Sequence, residues 1–237
     1  MKKNNRSLAF SGLKCILKIF KRKPKVVFLG ESFTDKAIYL CNHVGASGPL
    51  TLELYFPKLF RFWGIYLMNG TMKERYNYLS TIYFRDKRHL NKHLAKIIGF
   101  IATPFMTIFY KGIKLISTYN DARFVTTVKK SINVLNENQS IIIFPEDSSK
   151  GYFDLLKKFL PGFYALAEVC FKKGMDLPIY LMYLQRLNNT LYVDEPIKFS
   201  ELKALNMSKE EIANMFKERA NELALMSANI EKEIYTK

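Results

Sequence analysis

Ser140-Ile141-Ile142-Ile143-Phe144 is an unbroken aliphatic run that stops at Pro145, too short for a self-supporting helix and rich in β-branched residues. Such a run reads as a strand buried on both faces. Residues 25–29, 37–41, 113–118, 178–184 and 190–193 are further short β-rich runs that read as strands, while 121–136, 162–173 and 208–232 show helical periodicity. Strands without a polar face need cover on both sides, and amphipathic helices supply it. The pattern therefore predicts an α/β fold, a single domain with a mixed central sheet flanked by helices. A chain of 237 residues fits in one such domain, since cores split beyond roughly 250 residues. The expected organisation is a basic segment at 1–24, the α/β domain at 25–200 and a helical cover at 201–237. No internal repeat or low-complexity linker interrupts it, and 49% apolar with 24% charged residues excludes disordered and fibrous classes.

Charge is the unusual quantity. The chain carries a formal +16, and nine cations (Lys2, Lys3, Arg6, Lys14, Lys18, Lys21, Arg22, Lys23, Lys25) fall in residues 1–25 with no acid among them, leaving +7 for the rest. Within this arm Leu13, Ile16, Leu17 and Phe20, joined by Phe10 and Ile19, recur at i, i+3, i+4, i+7, so residues 7–20 are expected to form an amphipathic helix. A basic amphipathic helix suits an anionic membrane surface, where each cation contributes about 1 kcal/mol; the alternative is a first helix docked on the protein's own core. The remaining +7 is read as spread over the body, where it would help hold anionic donors and head groups. Nucleic acid is not an expected partner: no RNA-recognition signature, zinc finger or basic stripe is present.

Two further stretches bear on membranes. Residues 97–110 contain no charge, and Pro104 is expected to divide them into two short buried helices or a shallow re-entrant hairpin. From Tyr55 to Trp63, aromatics interleave with Lys58 and Arg61, a composition that suits either the headgroup layer or the core. Cys15, Cys41 and Cys170 are odd in number and without paired spacing, which points to a reduced, intracellular setting. With no convincing secretory signal, the expectation is a cytoplasmic protein held peripherally at the inner face of the membrane. His89 and His93 have a metal-compatible spacing but no third ligand, so no metal and no cofactor is expected.

His43 stands apart. It follows the apolar run 37–41 and precedes a small-residue turn with Gly45, Ser47, Gly48 and Pro49, which places it at the carboxyl end of a strand. Ligands of open α/β sheets collect in the crevice outside such ends. The run 140–144 ends the same way, on Pro145, Glu146, Asp147, Ser148, Ser149 and Lys150.

Asn42-His43 and Phe144-Pro145-Glu146, about 100 residues apart with an α/β pattern between them, resemble the first and third motifs of the glycerophospholipid acyltransferase family, the 1-acylglycerol-phosphate type. Gly151-Tyr152 through Phe163, and Leu177-Pro178-Ile179-Tyr180, are similar to its later landmarks, and the resemblance covers roughly residues 25–200. It implies an O-acyltransferase of phospholipid biosynthesis, in which His43 is a general base that takes the proton from a lysolipid hydroxyl. That hydroxyl, in lysophosphatidic acid or a related acceptor, then attacks the thioester of acyl-CoA or acyl-carrier protein directly. Imidazole, with an ordinary pKa near 6.5, suits that task. The resemblance further implies that Asn42, Ser47, Pro145, Glu146, Asp147, Ser148, Lys150, Asn120 and Arg123 form the acceptor and phosphate site.

The chain departs from the family pattern at named positions. Gly48 stands where the motif aspartate orients the histidine, Ser149 where the third motif has arginine, and Asn120 where the second motif has one, with Lys150 and Arg123 adjacent. Arginine forks a phosphate and lysine does not, so a different lysolipid is compatible. Glu53 either reaches back to His43 in the aspartate's place or is the polar residue of an amphipathic helix begun by Pro49; Asp147 is a second substitute. These departures also admit a lipid-binding protein that keeps the fold without catalysis.

Overall fold

A computed structural model describes residues 8–148 and 151–235, with the side chains of the last helix described to residue 226. In chain order the elements are α1 (Leu8–Phe20), β1 (Lys25–Phe28), β2 (Ile38–Cys41), α2 (Ser47–Tyr55), β3 (Phe60–Ile65), a 3₁₀ turn (Tyr66–Met68), α3 (Met72–Asn77), a π-helical segment (Tyr78–Lys87), α4 (Lys92–Ile113), β4 (Ile116–Thr118), α5 (Phe124–Asn136), β5 (Ser140–Ile143), α6 (Gly162–Lys172), β6 (Pro178–Gln185), β7 (Thr190–Val193), β8 (Ile197–Lys198), α7 (Phe199–Ala204) and α8 (Lys209–Tyr235). The fold is α/β with mixed strand pairing and an amphipathic N-terminal helix. The chain divides into two compact units: a sheet unit of Lys23–Phe60, Val128–Asp147 and Tyr152–Lys237, and a helical unit of Met1–Arg22, Arg61–Thr127 and Ser148–Gly151.

In the sheet unit the strand order is β1-β7-β6-β2-β5, with β8 pairing β6. β2 runs parallel to both neighbours, with Ile38 opposite Ile141 on β5 and Ile179 on β6. β7 closes antiparallel onto β6, and β1 runs parallel to β7. All residues of β2, β5 and β7 are buried, which is why they lack a polar face. α8 packs on β6, and Phe163 of α6 meets Phe216 of α8 edge to face at 5.4 Å, a favourable ring geometry.

The helical unit contains the parallel pair β3–β4, with Trp63 opposite Ile116. Of the interleaved aromatics that suited either setting, Phe60, Phe62 and Trp63 are buried core while Tyr55 and Phe56 are half-buried, and Trp63 meets Phe124 at 5.6 Å. The strand expected over 113–118 is shorter, because Ile113 still belongs to α4 and Lys114 turns the chain at φ 51°.

Pro104 does not divide residues 97–110. α4 is one helix of 22 residues with Pro104 inside it. The proline withholds one ladder bond, but Thr103 Oγ1 donates to Gly99 O at 2.6 Å, Thr107 Oγ1 donates to Thr103 O at 2.8 Å, and Arg75 Nη1 donates to Thr107 Oγ1 at 2.7 Å. Side-chain bonds and tertiary packing hold the turns on either side. Arg75 itself is buried, its other donors occupied by Met68 O and Gly70 O.

Candidate functional site

β2 and β5 are parallel neighbours, so their carboxyl ends leave the sheet side by side. The chain beyond β5 pairs in turn with residues 158–160: Glu146 bridges Phe159, Asp147 N–H donates to Lys158 O at 3.0 Å, and Leu160 N–H donates to Pro145 O at 2.7 Å. Pro145 and Glu146 are buried. From this anchored position Glu146 Oε2 accepts the backbone N–H of His43 at 3.0 Å. The carboxylate thus clasps the end of β2 where the histidine begins.

Asn42, expected at the acceptor site, is bonded to the backbone of β6. Its amide donates to Leu184 O at 3.1 Å and accepts from Leu184 N at 2.7 Å, continuing the sheet ladder onto β6 where β2 itself has stopped. Buried amides demand such partners. Asn42 and Glu146 therefore fix the two sides of the backbone that carries His43.

The His43 ring lies against Phe144 and Tyr152, with ring centroids 4.9 Å away in each case. Its Nδ1 meets the carbonyl of Gly45. A carbonyl only accepts, so the contact requires the proton on Nδ1 and, in the neutral ring, puts the lone pair on Nε2. The turn that aims this carbonyl is strained. Val44 has φ 46° and Gly45 φ 62°, and a β-branched residue rarely adopts positive φ. The same backbone explains Gly48: its N–H donates to His43 O at 3.2 Å, and a Cβ there would lie 2.4 Å from that oxygen. No side chain, an aspartate included, fits this turn without moving it.

Cys41, two residues before the histidine, is no competing nucleophile. Burial pushes its thiol far above the ordinary range, so it stays protonated. Glu53 is buried on α2 beside Leu52 and Leu54. Pro49 sits within the first turn of α2, where its missing N–H costs no intrahelical bond. Ser47, the first residue of α2, donates its N–H to Val44 O at 3.2 Å.

The site on the sheet unit therefore unites Asn42, His43, Pro145 and Glu146. Three expected phosphate-side residues belong to the helical unit. Asn120 is exposed just past β4. Arg123 is engaged by Asp121, with contacts at 2.7 to 3.1 Å, and lies over Tyr119 and Tyr66 at 4.5 and 5.2 Å; the Arg123 guanidinium holds the Asp121 carboxyl below its usual range. Ser148 Oγ accepts from Lys87 Nζ at 2.7 Å. Lys150 lies outside the described residues. Tyr152 and the Gly45 carbonyl are contacts of the His43 ring that residue types alone do not announce; Tyr152 is signalled only by its closeness in sequence to Glu146. Neither comparison with protein-family models nor a search of curated proteins finds a match for this chain.

Proposed function

We propose that this protein moves a fatty acyl group from a thioester donor, acyl-CoA or acyl-carrier protein, to a hydroxyl of a lysoglycerophospholipid or related lysolipid. The observation that supports this most is the His43 ring at the carboxyl end of β2, with Nδ1 on the Gly45 carbonyl and its backbone N–H on Glu146. In this reading Nε2 takes the acceptor's hydroxyl proton while the oxygen attacks the thioester carbon. The tetrahedral intermediate collapses with cleavage of the C–S bond, and the imidazolium returns the proton to the leaving thiolate. No acyl-enzyme forms. The Gly45 carbonyl does for Nδ1 what the motif aspartate does in the family the sequence resembles, holding the tautomer without adding a charge.

Purified protein given a lysolipid panel with each donor should release free thiol and acylated product. His43→Ala should lower turnover by about 10²–10⁴-fold; unchanged turnover would exclude the base. Glu53→Gln should retain most activity, since Nδ1 is held by a carbonyl; loss comparable to that of His43→Ala would return the dyad role to Glu53. A second reading, lysolipid binding without transfer, is favoured by Gly48 and the absent motif arginines, and a single acylated product removes it.

A further inference from the structure

We infer that α1 and α4 together form one docking surface for an anionic lipid bilayer, and that α4 lies along the bilayer plane rather than across it. The inference is independent of the acyl-transfer reading.

Phe10 of α1 is fully buried against α4, where its ring lies 5.9 Å from Phe109 and fills the space a Cβ on Gly112 would occupy. Leu13 and Leu17, on the same side of α1, are half-buried. The apolar pattern of α1 is thus wider than one face. One edge docks on the protein, and Leu8, Ile19 and Phe20, each at least 79% exposed, point away from it. On α4 the exposed apolar residues are Leu94, Ile97, Phe100, Ile101, Phe105 and Ile108, and the four turns that carry them also bury Ala95, Gly99 and Thr103. At 3.6 residues per turn the six exposed residues fall within an arc of about 140°, opposite the buried ones. Ile97, Phe100, Ile101 and Phe105 are each at least 60% exposed. Contiguous apolar exposure on this scale marks an interaction surface.

Charge names the occupant. Residues 1–30 hold nine cations and no acid, and residues 87–120 hold Lys87, Arg88, Lys92, Lys96, Lys111 and Lys114, again with no acid. Fifteen of the sixteen net positive charges therefore belong to the two segments that carry the exposed apolar faces. The +7 outside the N-terminal arm is not spread over the body: six of it sits here. An apolar stripe flanked by lysines complements anionic headgroups over acyl chains.

α4 has the length to span, since 22 residues extend about 33 Å against a hydrocarbon core of about 30 Å. Its inner face forbids it. The buried Arg75 guanidinium donates to Thr107 near the end of the charge-free stretch, and Gly99 packs with a Cβ position 3.0 Å from Ser80. Insertion across the bilayer would strip Arg75 of this partner and strand its charge. Lying in the interface leaves these contacts intact.

The test is flotation of the full chain with phosphatidylglycerol–phosphatidylcholine vesicles and with phosphatidylcholine alone. The chain should float with the anionic vesicles, weakly with neutral ones, and be released by alkaline carbonate. Replacing Ile97, Phe100, Ile101 and Phe105 by Ser should reduce flotation by roughly tenfold or more, with thermal stability unchanged because these side chains are exposed. Undiminished flotation of this variant, equal binding to neutral vesicles, or retention in carbonate would overturn the inference. So would a lipid-free dimer that the same four substitutions dissociate, which would assign the surface to a second copy.

Discussion

Gly48→Asp introduces the aspartate of the motif that the sequence resembles, and the structure predicts that it harms the protein. The new Cβ would stand 2.4 Å from His43 O and 3.1 Å from Asn42 O, whereas unstrained C···O contacts begin near 3.3 Å. The turn must open by about 0.9 Å, and the atom displaced is the backbone oxygen of the proposed base itself. Overpacking of this kind costs about 1–3 kcal/mol; at about 2–4 °C per kcal/mol for a chain of this size, the melting temperature falls by about 2–12 °C. Moving a catalytic group by about 1 Å costs on the order of 10²-fold in rate. Differential scanning calorimetry, with acyl transfer measured on the same preparation, reads both. Gly48→Ala separates the two contributions: it carries the Cβ without the charge and should show most of the same loss. A Gly48→Asp protein that is more stable or faster than the parent would refute the steric reasoning and revive the carboxylate dyad.

Other perturbations follow from named contacts. Asn42→Leu keeps the volume but leaves Leu184 N–H and C=O unpaired, and should cost about 2–4 kcal/mol in urea denaturation; an unchanged midpoint would contradict the ladder role. Arg75→Leu removes the donor from Met68 O, Gly70 O and Thr107 Oγ1 and should destabilise by about 3 kcal/mol, with no loss expected if the guanidinium were merely solvated. Gly112→Ala drives a Cβ to 2.0 Å from the Phe10 ring; it should lift α1 and speed its limited proteolysis, and Phe10→Ala in the same chain should reverse the strain. Glu146→Ala leaves the His43 backbone N–H without its acceptor, so both stability, by about 1–3 kcal/mol, and turnover should fall.

The strands that pair in the middle of the sheet are legible in the sequence because burial on both faces leaves them mostly apolar, with Ser140 and Thr190 only at their first positions: β2, β5 and β7 lie within two residues of their expected bounds. β3 is not, since Arg61 and Lys58 interrupt or precede its aromatics and imitate a headgroup belt; register against β4 is a long-range fact. α4 is misjudged for a local reason. Proline weakens the helix where it sits, but the compensation comes from Arg75, 32 residues away from Thr107 in sequence. At the site, His43 and Glu146 are visible as polar residues ending apolar strands, and their contact follows from parallel pairing. Asn42 is visible as a residue and not as a role, because its partner Leu184 lies 142 positions away. The Gly45 carbonyl is illegible in principle: every residue has one, and only the positive φ values of Val44 and Gly45 aim this one at the ring.

Direct acyl transfer in the proposed reaction requires His43 Nε2 to accept a proton from the lysolipid hydroxyl. Single-turnover transfer from a radiolabelled acyl thioester, followed across pH in the parent and in His43→Gln, tests it most directly. Labelled lipid and no labelled protein should form, at a rate that rises with pH as one imidazole deprotonates, with loss of at least about 10²-fold in the variant. A labelled acyl-protein intermediate, or a variant that transfers at the parent's rate, would contradict it.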